Sequence, residues 1–442
     1  MTHTTRFAPS PTGRLHVGNI RTALHNWMLA EKLGGQFVLR IDDTDAERSK
    51  EEYVEAIKAD LTWLGLNWQS EARQSANLNA YEAAFEQLRD SGRVYPAYET
   101  AQELELKRKV LLGRGLPPIY DRGSLKLTEE DRAEKKAEGI EPHWRFKLDH
   151  DAPISWEDGV RGKQSFDPKL LSDPVIRRAD GSWLYMLPST VDDINMGITQ
   201  VLRGEDHVSN TAVQIQMFIA LGATPPAFAH EALLVGKEGK LSKRLGSLGC
   251  DAFRDRGIEP EAIIALLSRL GTSLPVEPIA DRAQLLETFD LSTFGRAPAK
   301  FDDAELERIN TAIVHAMPFD AVKHRLPDGI DEAGWHAVQP NISTIAEVSE
   351  WWRLVTGPIE AVEFSDEDKS YLAKAATTLA WGNDPWGALT SALKEATGRK
   401  GKQLFLPLRQ ALTGMNHGPD MGELLPLIGE AEAKARLEKA AG

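Results

Sequence analysis

RFAPSPTGRLHVGN, Arg6 to Asn19, decides how the chain begins to fold. Pro9 and Pro11 hold the backbone extended and lack N–H donors, so this stretch is not helix. Gly13 and Gly18 permit a sharp turn and a close approach of backbone to a ligand. Helical spacing follows, with Leu24, Trp27 and Met28 as apolar positions, and stops at Gly34-Gly35. The stretch reads as strand, tight loop, helix N-terminus. Free N–H groups and the positive end of the helix dipole suit an anion there, often a phosphate.

Working outward, QFVLRID (36–42) is a second strand, which completes a βαβ unit and starts a parallel α/β sheet. Lys50 to Leu64 repeats apolar residues at Val54, Ile57, Leu61 and Leu64, a helical spacing. From Arg93 to about Trp183 the pattern breaks into short strands, turns and a charged helix, KLTEEDRAEKKAEG, which suggests an insertion with its own small core. Strand-like runs return with WLYMLPSTV and ITQVLRGED, then a helix over TAVQIQMFIALG and a strand at ALLVG. Beyond about Asp251 the pattern is almost wholly helical.

The chain has 442 residues, 42% hydrophobic and 27% charged, which predicts a globular protein of two to four domains. No run approaches a membrane span, and MTHTTRFAPS has no apolar leader core, so a cytoplasmic protein is expected. One cysteine, Cys250, excludes a disulfide framework and a multi-cysteine zinc site. The net charge of −14 argues against nucleic-acid binding by the whole surface, but a local basic face can work on an acidic body. Leu393 to Gly414 is such a stretch: Lys394, Arg399, Lys400, Lys402 and Arg409 stand against Glu395. KLSKR, Lys240 to Arg244, follows the ALLVG strand in a loop with Gly236 and Gly239 and reads either as a solvated basic loop or as a clamp for polyphosphate.

The HVGN loop and KLSKR, in this order, resemble the HIGH and KMSKS signatures of class I aminoacyl-tRNA synthetases. PSPTGRLHVGN, RIDDTD, VDDINMG and RGEDHVSNT are similar to the bacterial glutamyl-tRNA synthetase family over the whole chain. The resemblance implies an α/β fold: a Rossmann-like catalytic domain split by an α+β insertion, then all-helical stem-contact and anticodon-binding regions. The corresponding boundaries are 1–93 and 188–250 for the catalytic halves, 94–187 for the acceptor-stem-binding insertion, 251–315 for the stem-contact region and 316–442 for the anticodon-binding domain. It also implies ATP-dependent activation of L-glutamate to glutamyl-adenylate, then transfer to the 3′ end of tRNA-Glu, by a monomeric ligase. Whether tRNA-Gln is charged with glutamate too stays open.

By the same resemblance, His16, Lys240 and Lys243 are the catalytic residues, and Pro11, His16, Gly18, Lys240, Ser242 and Lys243 bind ATP. Arg6, Ser10, Asp42, Tyr185, Ser189 and Arg203 bind glutamate. Arg6 would hold the side-chain carboxylate through its fork, and Asp42 the ammonium. His207 and Asp206 fall at the sheet's carboxyl edge, either as ligands or as pocket wall. Three positions depart from the family pattern: Asn19 replaces the last histidine of HIGH, Asp42 a glutamate, and Ser189 a frequent asparagine. Arg48, Lys400, Lys402 and Arg409 are the expected tRNA contacts. Many relatives carry zinc in the insertion, but YPAYETAQELELKRKVLLGRGLPPIYDRG (95–123) has no cysteine, so no structural zinc is expected and Mg²⁺ arrives with ATP. A glutaminyl enzyme with terminal β-barrels and a truncated paralogue without an anticodon domain both disagree with a helical final third. A non-catalytic scaffold needs no cationic clamp, and no P-loop motif occurs.

Overall fold

The computed structural model describes residues 2–236 and 248–442, so Lys240, Ser242 and Lys243 of KLSKR lie outside the described residues. Two compact units form, one from Met1–Phe253 with Ile263–Asp302, the other from Arg254–Ala262 with Asp303–Gly442.

In the first unit β1 (Thr4–Phe7) leads through the proline loop into α1 (Val17–Lys32), β2 (Gln36–Ile41), α2 (Glu51–Trp63), β3 (Ser70–Arg73) and α3 (Leu78–Asp90). β1 and β3 both pair parallel with β2. Alpha-helical spacing buries Leu24 and Met28 on α1, and Val54, Ile57 and Leu61 on α2; Trp27 is only half-buried. Each fully buried side chain of this kind contributes about 1.5–3 kcal/mol. Gly34 ends α1 with φ near +60°, and a Cβ on Gly35 would stand 2.2 Å from the His3 carbonyl oxygen, so this turn requires glycine.

The insertion supplies β4 (Val94–Ala97), α4 (Ala101–Gly113), α5 (Glu129–Ala137), β5 (His143–Phe146), β6 (Ile154–Asp158), β7 (Gly162–Phe166) and β8 (Val175–Arg177). β4, β5 and β8 make an antiparallel sheet and β6–β7 a hairpin. α5 is the charged helix expected from the sequence.

The chain then returns through α6 (Met186–Asn195), β9 (Gln200–Gly204), α7 (Val208–Ala220), β10 (Ala227–Glu231) and β11 (Leu234–Gly236). WLYMLPSTV is not a strand. Its second half is the start of α6, because Pro188 sits in the first turn, where a missing N–H costs nothing, and the face carrying Leu187 and Val191 packs inward. β9 and β10 pair parallel, and Thr199 N–H donates to the Thr4 carbonyl at 3.0 Å, which sets them beside β1. Two hydrogen-bonded sheets, β3-β2-β1 and β9-β10, thus lie side by side with β9 next to β1, and the chain reverses direction of winding between β1 and β9. Open α/β sheets bind ligands outside the carboxyl ends of strands at such a point.

After Asp251 the unit is helical except for β12 (Ala299–Phe301), which pairs parallel with β11. The all-helical expectation fails there because the backbone groups of β11 need partners. The second unit is built from helices with two apolar clusters, one around Trp335 and Val348, the other around Tyr371, Leu393, Leu408 and Leu425.

Candidate active site

A cleft of about 670 Å³ opens at the carboxyl ends of β1, β2, β9 and β10. Of the expected residues, Arg6, Ser10, His16, Gly18, Asp42, Tyr185 and Arg203 line it, as do Asp206 and His207. Pro11 and Ser189 do not. Pro11 is buried in the loop, and its carbonyl accepts from Lys50 N–H. Ser189 is fully buried behind the wall, where its hydroxyl accepts from Arg40 Nη2 at 3.2 Å and from Gln214 Nε2 at 3.4 Å, so it acts on a substrate through these side chains.

The first turn of α1 does not offer the free N–H groups that the sequence suggests. His16 caps α1 itself: its Nδ1 accepts from Gly18 N at 3.2 Å and Asn19 N at 3.4 Å, while Asn19 Oδ1 accepts from His16 N–H. Val17 N–H donates to Leu248 O and Ile20 N–H to His16 O, so the whole first turn is satisfied. Asn19, at the position of the second motif histidine, thus completes a reciprocal cap. A Cβ on Gly18 would lie 3.1 Å from the His16 ring, so that glycine, which lines the cleft, makes room for the imidazole. With Nδ1 accepting, the proton of the neutral ring sits on Nε2, and burial lowers the pKa of His16. An anion in the cleft therefore meets one imidazole Nε2–H and the helix dipole.

The floor is a network of three buried arginines and three buried aspartates. Arg40 Nε donates to Asp42 at 2.6 Å, and its Nη1 to Asp193 at 2.6 Å. Arg6 spends Nε on Asp193 at 3.1 Å; among the described residues its Nη atoms have no hydrogen-bond partner. Asp192 accepts from Tyr81, Gln74 and Asn77. Burial raises the Asp42 carboxyl against the pull of Arg40, whereas at Asp193 burial is outweighed by Arg6 and Arg40 and the carboxyl is lowered. Arg203 is held only by neutral groups: Tyr185 Oη at 2.8 Å, Thr211 Oγ1 at 2.6 Å, Gln214 Oε1 at 2.7 Å and His230 Nε2 at 3.4 Å. No carboxylate among the described residues forms a salt bridge with it. A buried guanidinium so placed calls for an anion. Burial, with Arg203 nearby, brings the His207 imidazole down to about 4 and keeps it neutral.

The model for tRNA synthetases class I (E and Q), catalytic domain, matches residues 3–308, and that for the anticodon binding domain matches 291–441. This chain belongs to the class I tRNA synthetases of the E and Q group. Glutamate–tRNA ligase 2 of Erythrobacter litoralis is 79% identical over 99% of this chain and 98% of its own length. Glutamate–tRNA ligase 1 of Novosphingobium aromaticivorans is 67% identical over 99% of this chain and all of its own. Among solved structures, a glutamate tRNA ligase from Elizabethkingia meningosepticum in complex with its amino acid superposes with a TM-score of 0.88, at 27% identity, over 100% of this chain and 99% of that one. Synthetases of this class use ATP, generally with Mg²⁺.

Arg40, Asp192, Asp193, Thr211, Gln214 and His230 carry the site's architecture but received no role from the sequence. Their signal was there: charges inside apolar runs, as in FVLRI and STVDDI, stay only where a partner is buried with them. Of the expected tRNA contacts, Arg48 is exposed and bonded to Asp45 at 2.7 Å, and Lys400 and Lys402 are exposed. Arg409 is half-buried, with Nη1 unpartnered among the described residues. Arg399 leaves the basic stretch, because it pairs with Asp368 at 2.6 Å and Glu367 at 2.8 Å and covers the Tyr371 ring. No group of three or more potential metal-ligating side chains occurs among the described residues, and no helix there is long and apolar enough to cross a membrane.

Proposed function

We infer that this chain attaches L-glutamate to tRNA-Glu, using ATP. The observation that carries this reading is the pairing, in one cleft, of two buried guanidiniums with open hydrogen-bonding capacity and an imidazole at a helix N-terminus. Arg6 takes the side-chain carboxylate of glutamate through its free Nη pair, Arg203 the anionic charge alongside, and Asp42 the ammonium. Held so, the α-carboxylate attacks the α-phosphorus of ATP; pyrophosphate leaves, and the terminal ribose hydroxyl of the tRNA then displaces AMP from glutamyl-adenylate. Such transfers need positioning and charge stabilisation more than a nucleophilic side chain. His16 donates its Nε2–H to the phosphates, and Lys243, with Lys240 and Ser242 beside it, holds the departing pyrophosphate. Mg²⁺ enters with ATP, and the chain acts as a cytoplasmic monomer without zinc.

The layout proposed for the whole chain keeps the acceptor-stem contact in 94–187, the stem contact in 251–315 and anticodon recognition in 316–442. In the last, exposed Lys400 and Lys402 border Phe405, which is 45% exposed and packs on Trp386 at 6.2 Å. A cationic edge with an open aromatic ring suits unstacked RNA bases. Aminoacylation of purified tRNA-Glu and tRNA-Gln with glutamate and with glutamine tests the reading; charging with glutamine alone overturns it. Glutamate on tRNA-Gln would extend the substrate range.

A further inference from the structure

We propose that Asp158 and His230 are positioning residues that hold the Arg203 guanidinium with neutral acceptors, so that its charge stays available for the substrate's carboxylate. Asp158 ends β6, on the hairpin of the insertion, and reaches β10, 72 residues on. Its Oδ1 accepts the backbone N–H groups of His230, Val160 and Arg161, and its Oδ2 accepts from Trp156 Nε1 and lies 2.5 Å from His230 Nδ1. With so many donors converging, this carboxyl is held down at about 2 despite burial. It is an anion, and it fixes the proton of His230 on Nδ1.

That tautomer leaves His230 Nε2 as a lone pair. Two groups face it: the Arg203 Nε–H at 3.4 Å and the Thr211 hydroxyl at 2.8 Å. Thr211 in turn accepts Arg203 Nη2 at 2.6 Å, so one edge of the guanidinium is bound twice by a chain that ends on Asp158. All four side chains are buried, and Phe228 lies beside both Arg203 and the His230 ring. A carboxylate placed directly against Arg203 would orient it equally well but would cancel its charge. Here the counter-charge is set one imidazole away.

The inference rests on Arg203 meeting glutamate, and the test separates the two. With tRNA-Glu present, His230→Leu is expected to raise the KM for glutamate at least about tenfold and to leave the KM for ATP within about twofold, since one acceptor to a charged donor is lost. His230→Gln, whose Oε1 reaches the place of Nε2, restores most of the loss. Thr211→Val carries the same test should His230→Leu not fold. Equal changes in both KM values, or none, overturn the positioning role. Arg203→Gln is the control: an unchanged glutamate KM there overturns the reading of Arg203 itself, whereas a raised one beside a normal His230→Leu overturns only the role of Asp158 and His230.

Discussion

Arg6 and Asp193 meet at 3.1 Å across 187 residues of sequence, and Asp193 is shared with Arg40 at 2.6 Å. One carboxylate thus serves two guanidiniums, leaving the β1 arginine with a surplus of positive charge on the floor of the cleft. The insertion lies between the two residues in sequence, so this contact also ties the first half of the sheet to the second.

Arg6→Lys keeps the charge but removes the fork. The KM for glutamate should rise by about 10- to 150-fold, about 1.5–3 kcal/mol, with the KM for ATP unchanged. Because Asp193 keeps Arg40, the melting temperature should move little. ATP–pyrophosphate exchange in the presence of tRNA-Glu measures the first, and thermal unfolding the second.

His16 has two tasks that substitution can separate. His16→Ala removes the α1 cap and should cost ~1 kcal/mol of stability along with a fall in kcat on the order of 10²-fold. In His16→Asn the amide oxygen takes the place of Nδ1, so stability should return while kcat stays low, for lack of the Nε2 donor. An Asn variant with normal kcat would show that capping was the residue's whole contribution.

Lys243→Ala should lower kcat for adenylate formation by on the order of 10²–10³ and leave the KM for glutamate nearly unchanged, as expected of a contact made mostly in the transition state. A fall of less than about threefold, under ~0.7 kcal/mol, would leave Lys240 as the remaining candidate for the clamp.

Glu231 is buried against Arg21, His25 and Thr22, with His25 Nδ1 at 2.6 Å. Burial pushes its carboxyl up, but these partners more than offset that and hold it at about 2, below its ordinary 4.5. A lowered carboxyl contributes stability in full above pH 4.5 and loses it as pH falls through about 2. Glu231→Gln should therefore destabilise by about 3 kcal/mol at pH 7, since it leaves the buried Arg21 guanidinium without its counter-charge, and the gap should narrow below pH 4.5. Thermal unfolding at pH 7 and pH 3 measures it; a gap that widens toward acid contradicts the assignment.

The purified protein should carry no stoichiometric zinc, and chelators should leave its melting temperature unchanged. In the cysteine-free insertion Glu99 accepts from Ser124 Oγ at 2.8 Å and Tyr120 Oη at 2.9 Å, and the Arg145 guanidinium lies 3.8 Å from the Tyr120 ring centroid. These contacts tie the loops together. One tightly held zinc per chain by elemental analysis would contradict this.

Sequence alone determined most of the elements and their order. Periodicity is local: three or four residues decide which face of α1 or α2 is apolar, and prolines and glycines act on their own dihedral angles. It determined the residue types at the loop after β1 and at RGED for the same reason. Where the period was ambiguous, at WLYMLPSTV, an apolar run read as strand and folded as helix. Only the tertiary structure decided which charges meet. Arg6 with Asp193, Asp158 with His230 and Tyr81 with Asp192 lie 187, 72 and 111 residues apart, and the packing of α6 on α3 and β1 and of the β6 hairpin on β10 brings them together. It also decided that the helix N-terminus is closed by His16 rather than open, because a free N–H donates to whichever acceptor packing brings nearest. In this fold that acceptor is an imidazole, and it turns its other nitrogen to the cleft.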